Sequence, residues 1–142
     1  MIYILDGMHS GGKSTMAAKL QQETGYPIKK AYCRTIEEVK KFIETNDNII
    51  VDRLFIIPFI KRRYHLDKFK EVVTYLSVRR DKVKCYMCKC DPNLAWAREQ
   101  KKERLDTRPV TREECDILYD YSEKVYSMNP HLWEVINTNK EA

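Results

Sequence analysis

The stretch GMHSGGKST, residues 7–15, follows an apolar run at residues 2–5 and precedes a helical pattern. It contains the complete pattern G-x-x-x-x-G-K-[ST], with Gly12, Lys13 and Ser14 at its end. Glycines let such a loop curl so that its backbone N–H groups point inward, and the following helix adds a partial positive charge at its N-terminus. The stretch therefore predicts a site for the phosphates of a nucleoside triphosphate.

The predicted nucleotide-binding residues of this loop are Gly7, Ser10, Gly11, Gly12, Lys13, Ser14 and Thr15. Lys13 is expected to reach the β- and γ-phosphates, and Ser14 to bind Mg²⁺. His9 lies in the same loop and could approach the γ-phosphate or the acceptor. A histidine in a turn is more often a solvent-facing or hydrogen-bonding loop residue, so we leave His9 outside the catalytic set.

The composition is that of an ordinary globular chain, with 43% hydrophobic and 33% charged residues. Its 142 residues predict one domain over the whole of 1–142. No stretch approaches the roughly 18 to 20 apolar residues of a membrane span. We expect no secretory signal, because no basic residue precedes the first apolar run, and hence a cytoplasmic location with reduced cysteines. The net charge of +5 suggests anionic partners without identifying them.

Strand and helix patterns alternate along the chain. Strands are predicted at 2–5, 48–51, 83–89 and 132–136, and helices at 13–24, 35–44, 54–64, 67–78, 92–104 and 111–128. Capping boxes open two of the helices, at Thr35 with Glu38 and at Thr111 with Glu114. Pro58 is expected to bend or interrupt the helix at 54–64. This order predicts an α/β fold whose mostly parallel sheet has helices on both faces and binds ligands at the carboxyl ends of its strands.

Asp52 and Arg53 follow the apolar residues 48–51, at the predicted sheet edge where the glycine-rich loop also lies. A carboxylate at this place can orient Mg²⁺ or accept a proton, and a guanidinium can bind an acceptor phosphate with its fixed fork. A surface turn with a local ion pair is the alternative. The preceding strand and the intact glycine-rich loop favour the functional interpretation.

Four segments in order resemble the thymidylate kinase-like nucleoside and nucleotide kinases of the P-loop fold: GMHSGGKST, VDR at 51–53, CKCDPNLAWAREQKKER at 88–104 and EVINTN at 134–139. The resemblance implies a three-layer P-loop kinase fold, with Asp52 near Mg²⁺ and the acceptor, and Arg53 on phosphate. The third segment looks like the family's strand, turn and helix leading into an arginine-rich lid, here about 98–110. The fourth looks like the loop beside the donor adenine, which implies that role for Asn137 and Asn139.

Arginines of the predicted lid are candidates for neutralising the transferring phosphoryl group. Phosphoryl transfer needs mostly positioning and charge neutralisation from a protein, so an arginine brought in by closure can raise the rate greatly. The candidates are Arg98 and Arg104, then Arg108. The chain departs from the family in two ways: Leu54 replaces the usual aromatic residue after Asp-Arg, and the chain is short. Because the loop at 7–15 carries no arginine, the lid is expected to supply the catalytic one.

The glycine-rich loop and the Asp52–Arg53 pair predict an ATP-dependent phosphotransferase that uses Mg²⁺. The resemblance implies a deoxynucleoside monophosphate as its acceptor, in keeping with the arginine after the acid and the basic chain. A deoxynucleoside, or the 5′ end or a modified base of a nucleic acid, is an alternative acceptor, for which the basic clusters at 61–63 and 98–104 would form a phosphate track. A nucleotide-gated regulatory NTPase is the alternative of another class. No membrane partner is expected, and a homodimer is an open expectation.

Two further groups of residues allow two interpretations each. Cys85, Cys88 and Cys90 contain the spacing C-x-x-C of metal sites, but no second pair follows, which favours buried small hydrophobic side chains. Four aromatic residues could stack on an acceptor base, although their helical spacing favours core packing: Phe55, Phe59, Tyr64 and Trp96.

Overall fold

The fold is that of a computed structural model, which describes residues 1–8, 13–101 and 111–137. Several predicted site residues lie outside the described residues: His9, Ser10, Gly11, Gly12, Arg104, Arg108 and Asn139. The side chain of Asn137 is likewise not described. Gly7, Lys13, Asp52, Arg53 and Arg98 are all within the described part.

Strands and helices alternate along the chain. The strands are β1 (Ile2–Gly7), β2 (Ile28–Lys29), β3 (Ile49–Asp52), β4 (Val83–Lys89) and β5 (Trp133–Asn137). The helices are α1 (Lys13–Thr24), α2 (Ile36–Thr45), α3 (Ile56–Lys61), α4 (Leu66–Val78), α5 (Pro92–Gln100) and α6 (Arg112–Met128), with a 3-10 turn at Pro130–Leu132. In the described part of the chain no helix is both long and apolar enough to cross a bilayer.

Within the described residues the strands form one sheet in the order β2-β3-β1-β4-β5, and every neighbouring pair is parallel. Ile4 of β1 belongs to a core shared with α2, α3, α4 and α6. Its neighbour Leu5 belongs to the opposite core, with Ala17 and Leu20 of α1. Because successive strand residues point to opposite faces, the sheet is covered on both sides. This confirms the predicted three-layer α/β fold.

The predicted capping boxes form at both helix starts. The Thr35 hydroxyl accepts a hydrogen bond from the Glu38 backbone N–H at 3.1 Å at the start of α2. The Thr111 hydroxyl does the same for the Glu114 N–H at 3.1 Å at the start of α6. Each cap satisfies one N–H of the first helical turn, which has no partner inside the helix.

Three features differ from the sequence predictions. The edge strand β2 was not predicted, because Ile28 and Lys29 are both exposed and carry no apolar pattern. Helix α3 spans Ile56–Lys61 rather than 54–64, and Pro58 sits in its first turn, where a missing N–H costs nothing. Trp96 is 40% exposed rather than packed in the core, whereas Phe55 and Phe59 are buried in edge-to-face contact.

Gly7 lies where β1 passes closest to β4. Its φ of +118° falls in a region that favours glycine, and an added Cβ would overlap the Cys88 carbonyl oxygen. That same oxygen accepts the Met8 N–H at 2.9 Å, so it cannot move away without losing a hydrogen bond. Gly25, at the end of α1, also has a positive φ of +75°, but an added Cβ there would meet nothing within 4 Å.

Substituting these two glycines separates backbone strain from steric overlap. Gly25→Ala should lower the free energy of unfolding by about 1–2 kcal/mol, the cost of a left-handed alanine. Gly7→Ala should cost about 2 kcal/mol more, because the Cys88 backbone must also shift. Urea denaturation followed by circular dichroism measures both, and equal losses for the two variants would contradict the close approach of β1 to β4.

Candidate functional site

The ends of β1 and β3 bring the two predicted motifs to the same edge of the sheet. Leu5 is paired with Asp52 in the parallel register, and the Arg53 N–H donates to the Leu5 carbonyl oxygen at 2.9 Å. On the other side of β1, Gly7 is paired with Cys88 of β4. The start of the glycine-rich loop therefore lies between the Asp52–Arg53 turn and the end of β4, at the carboxyl edge where parallel sheets bind ligands.

The carboxylate of Asp6 ties this edge together. It is fully buried, and its Oδ1 accepts the Gly7 N–H at 2.9 Å. Its Oδ2 accepts three backbone N–H groups at the start of α3, from Leu54 at 3.2 Å, Phe55 at 2.8 Å and Ile56 at 3.2 Å. Asp6, which belongs to β1, thus caps α3, which follows β3 in the chain. It also holds the turn after Asp52 and Arg53 next to the start of the glycine-rich loop.

Asp6 was missed in the sequence predictions, which treated it only as the end of an apolar run. A carboxylate between a buried strand and a glycine is a signal that could have raised it as a candidate. Burial raises the pKa of Asp6, while its backbone hydrogen bonds and the charge of Lys13 oppose that rise. Satisfying a buried carboxylate with amide donors is the condition under which it can stay inside a protein.

Lys13 is the first residue of α1 and is only 5% exposed. Its ammonium donates a hydrogen bond to the carbonyl oxygen of Met8, at the start of the loop that the pattern assigns to phosphates. Burial lowers the pKa of Lys13 to about 8, and the positive charge of Arg53 contributes to the lowering. The stability of the free protein is therefore expected to rise as the pH increases from about 8 toward the ordinary lysine value of 10.5.

Arg53 and Lys13 are thus two cations held close together at one sheet edge. Asp6 and Asp52 offset part of their repulsion, as shown by their opposing effect on the pKa of Lys13. Arg53 has a φ of +70°, a left-handed conformation that is uncommon for a residue with a side chain. Such strain is characteristic of positions that the surrounding structure fixes for a purpose.

Asp52 is the residue of this edge that fits a metal ion. Its Oδ1 is buried and, within the described residues, has no hydrogen-bond partner. A carboxylate oxygen is the ligand type that Mg²⁺ prefers, and Mg²⁺ takes one or two protein ligands together with substrate phosphates. Ser14, the second predicted ligand, is exposed on the first turn of α1. No group of three or more metal-ligating side chains occurs in the described part of the chain.

Arg98 interacts with Cys90, which directly follows β4. It lies in the last turn of α5, and its side chain is hydrogen-bonded to the Cys90 thiol at the end of β4. Burial raises the pKa of that thiol, whereas the charges of Arg98 and Lys13 oppose the rise. The predicted lid segment therefore begins near the end of β4, the strand that flanks the start of the glycine-rich loop. Helix α5 is described to Gln100, and the lid prediction beyond Lys101 falls on residues 102–110, outside the described residues.

The remaining candidates fall into place around this edge. The backbone of Asn137 is paired with Lys89 at the end of β5, at the same edge of the sheet. The rest of the predicted adenine loop lies outside the described residues. All the cysteines singled out by spacing are buried and free: Cys85, Cys88 and Cys90. They lie on or next to β4 and pack in three different clusters, as buried apolar side chains do.

Three solved structures with the same fold are kinases or nucleotide-bound proteins. YorR of Bacillus subtilis, in complex with phosphorylated GDP, is 20% identical with a TM-score of 0.68, over 98% of this chain and 85% of that one. Deoxyadenosine kinase of M. mycoides with bound dATP is 19% identical with a TM-score of 0.66, over 100% and 93%. Shikimate kinase of Bacteroides thetaiotaomicron is 13% identical with a TM-score of 0.58, over 96% and 86%.

At these identities the likeness establishes a shared fold. It confirms the predicted P-loop kinase fold over nearly the whole chain. No protein-family profile matches the sequence. No curated protein matches it either. The finer resemblance to thymidylate kinases stays a prediction.

Two neighbouring aspartates offer a direct test of the carboxylate that joins the motifs. In Asp6→Asn only one side-chain oxygen remains, so Gly7 or the three amides of α3 must lose their acceptor. The free energy of unfolding should fall by about 2–3 kcal/mol. Asp52→Asn breaks no hydrogen bond of Oδ1 and should change it by less than about 1 kcal/mol. Urea denaturation of both variants measures the difference. Equal effects would show that Asp6 does not anchor the turn.

Proposed function

We propose that this protein is an ATP-dependent phosphotransferase that transfers the γ-phosphoryl group to a deoxynucleoside monophosphate, yielding ADP and a deoxynucleoside diphosphate. The observation that carries the proposal is the pair of adjacent cations, Lys13 and Arg53, at the carboxyl edge of a P-loop kinase fold. Two like charges held together, one of them buried, destabilise the free protein. A bound polyanion would relieve that repulsion, so the site is built for phosphates.

In this proposal each candidate residue has a distinct task. The backbone N–H groups of Ser10, Gly11 and Gly12 and the Lys13 ammonium bind the ATP phosphates, with Gly7 at the start of the loop and Thr15 at the helix start. The guanidinium of Arg53 binds the acceptor phosphate, which its planar fork matches. Asn137 and Asn139 frame the adenine. Lys13 and an arginine of the lid segment, from Arg98, Arg104 and Arg108, neutralise the charge of the moving group.

Asp52 and Ser14 would hold Mg²⁺, which supplies charge neutralisation on the β- and γ-phosphates when bound. The unpartnered Oδ1 of Asp52 supports this assignment, because a buried carboxylate oxygen without a hydrogen bond is costly in the free protein. Asp52 also lies beside Arg53, and so next to the position of the acceptor. Its carboxylate then orients the acceptor phosphate through Arg53 and keeps the local charge from becoming excessively positive.

A deoxynucleoside acceptor is the second candidate. The observation that favours it is the fold likeness to deoxyadenosine kinase of M. mycoides, solved with dATP and with dCTP. The two acceptors differ by one phosphate, and the basic character of the site supports the phosphorylated one. A regulatory NTPase would need neither acceptor.

Transfer from γ-labelled ATP with Mg²⁺ tests the proposal against a panel of deoxynucleoside monophosphates, deoxynucleosides and a 5′-hydroxyl oligonucleotide. Label should appear on one or more monophosphates. Lys13→Met should lower kcat/KM by at least about 100-fold, the typical effect of removing a preorganised charge. Methionine fits the buried position of Lys13, so this variant should remain folded.

The matched control is Lys19→Met, on the exposed side of the same helix, which should keep full activity. Label on a deoxynucleoside or on the oligonucleotide would keep the phosphotransferase and replace the acceptor. ATP binding without transfer to any acceptor, together with hydrolysis stimulated by a partner, would contradict the proposal and favour a regulatory NTPase.

A further inference from the structure

We propose that Lys61 and Tyr32 complete, with Arg53, a binding site for the phosphate of the acceptor, so that the site selects a nucleoside monophosphate over an unphosphorylated nucleoside. This inference rests on the proposed phosphotransferase function and names residues that determine its acceptor. It assigns a role to one residue of the basic cluster at 61–63 that the proposed mechanism does not use.

The charge of the acceptor requires a second cation. A phosphate monoester carries about −1.5 to −2 charges at neutral pH, and one guanidinium neutralises only one of them. Lys13 is assigned to the ATP phosphates in the proposed function, and its ammonium is hydrogen-bonded to the Met8 carbonyl oxygen. A monophosphate bound at Arg53 therefore needs another positive side chain near that arginine.

Tyr32 connects Arg53 with such a side chain. The Tyr32 N–H donates to the Arg53 carbonyl oxygen at 3.1 Å, and the next residue, Cys33, donates to Leu54 at 2.7 Å. The segment carrying Tyr32 is thus fixed against the turn carrying Arg53. The Lys61 ammonium lies 5.6 Å from the centroid of the Tyr32 ring, in cation–π contact. Tyr32 thus contacts Arg53 through its backbone and Lys61 through its ring.

The position of the Tyr32 ring places this arrangement beside the glycine-rich loop. The ring is half-buried against an apolar cluster that includes Met8, Ile57 and Cys90. Met8 is the residue whose carbonyl oxygen accepts the Lys13 ammonium. The Tyr32 ring therefore packs against a cluster that contains both Met8, at the start of the glycine-rich loop, and Ile57 of α3, and its aromatic character suits contact with the sugar or base of an acceptor.

The backbone is strained at both connected residues. Tyr32 has a φ of +47° and Arg53 a φ of +70°, both left-handed. Each costs on the order of 1–2 kcal/mol relative to glycine, which would fit the same turn without strain. Asn48 and Arg63 also have positive φ values, so this strain accompanies the contacts above and does not single out the two residues.

The two arginines that follow Lys61 are engaged elsewhere. The Arg62 Nε donates to the Tyr64 hydroxyl at 2.8 Å, and its guanidinium lies 5.6 Å from the centroid of the same ring. Arg63 lines a separate groove of about 700 Å³ between the α3–α4 turn and α6, with Ile117 and Tyr121. Of these three basic residues, Lys61 is the one that contacts Tyr32. Arg62 is consequently a matched control, one residue away and with the same charge.

The experiment compares Lys61→Gln with Arg62→Gln in two assays, steady-state transfer and calorimetric binding of a deoxynucleoside monophosphate and of the matching deoxynucleoside. Lys61→Gln should raise the KM and the Kd for the monophosphate about tenfold, and leave the KM for ATP and the binding of the deoxynucleoside unchanged. Arg62→Gln should change none of them. The tenfold difference should shrink as ionic strength rises, because Lys61 is exposed.

Substitutions of Tyr32 test whether the ring positions Lys61. Tyr32→Phe keeps the aromatic face and should behave as the wild type, whereas Tyr32→Leu should raise the KM for the monophosphate in the same direction as Lys61→Gln. Equal weakening by Lys61→Gln and Arg62→Gln would overturn the inference, since it would show a general effect of surface charge. Equal weakening of monophosphate and deoxynucleoside binding by Lys61→Gln would also overturn it.

The experiments distinguish a failure of this inference from a failure of the proposed function. Transfer to a monophosphate that is unchanged by Lys61→Gln overturns this inference and leaves the proposed function intact. Absence of transfer to every acceptor by the wild type overturns the proposed function. Calorimetric discrimination between monophosphate and deoxynucleoside then still decides whether Lys61 and Tyr32 bind the phosphate.

Discussion

The buried carboxylate of Asp6 accepts hydrogen bonds from the glycine that opens one functional loop and from the three amides that follow the other. The carboxylate thereby joins the two motifs, and the geometry of the candidate site depends on it. Removing it would leave the N-terminus of α3 uncapped inside the protein, at a cost that neither motif could offset locally. The β1–β3 register pairs Leu5 with Asp52 and so places the two motifs side by side. The carboxylate then fixes the turn that follows β3 and carries Arg53.

Several features of the candidate site are unfavourable in the ligand-free protein. Lys13 and Arg53 repel each other, the backbone at Arg53 and Tyr32 is left-handed, and an oxygen of Asp52 is buried without a partner among the described residues. Bound phosphates would relieve the charge repulsion, and a divalent cation would satisfy the buried oxygen of Asp52. A protein that tolerates such costs at one edge of a well-packed sheet is preorganised for a ligand, because the reorganisation has already been made during folding.

Sequence reasoning reached the features with local signals. The glycine-rich loop lies between its strand and its helix, and Asp52 and Arg53 lie at a strand end, because both patterns are read within a dozen residues. Features built from distant residues were missed. Asp6 accepts hydrogen bonds from backbone amides at 54–56, about 50 residues away in the sequence. Lys61 and Tyr32 are also distant in the sequence and are brought into contact by the fold. The two-residue strand β2 is recognisable only through its pairing with β3. Trp96 was wrongly expected in the core, because helical spacing predicts a face but not what covers it.

Native-state hydrogen exchange by NMR tests the anchoring role of Asp6 most directly. Amides in the first turn of a helix have no acceptor within it and normally exchange quickly. The amides of Leu54, Phe55 and Ile56 should instead exchange within about tenfold of the amides of β1. The amides of Leu66 and Asp67, the first two residues of α4, where His65 makes no side-chain cap in the described structure, provide the fast internal reference. Exchange at 54–56 as fast as in that reference would contradict the account, since the turn carrying Arg53 would then not be held by the carboxylate.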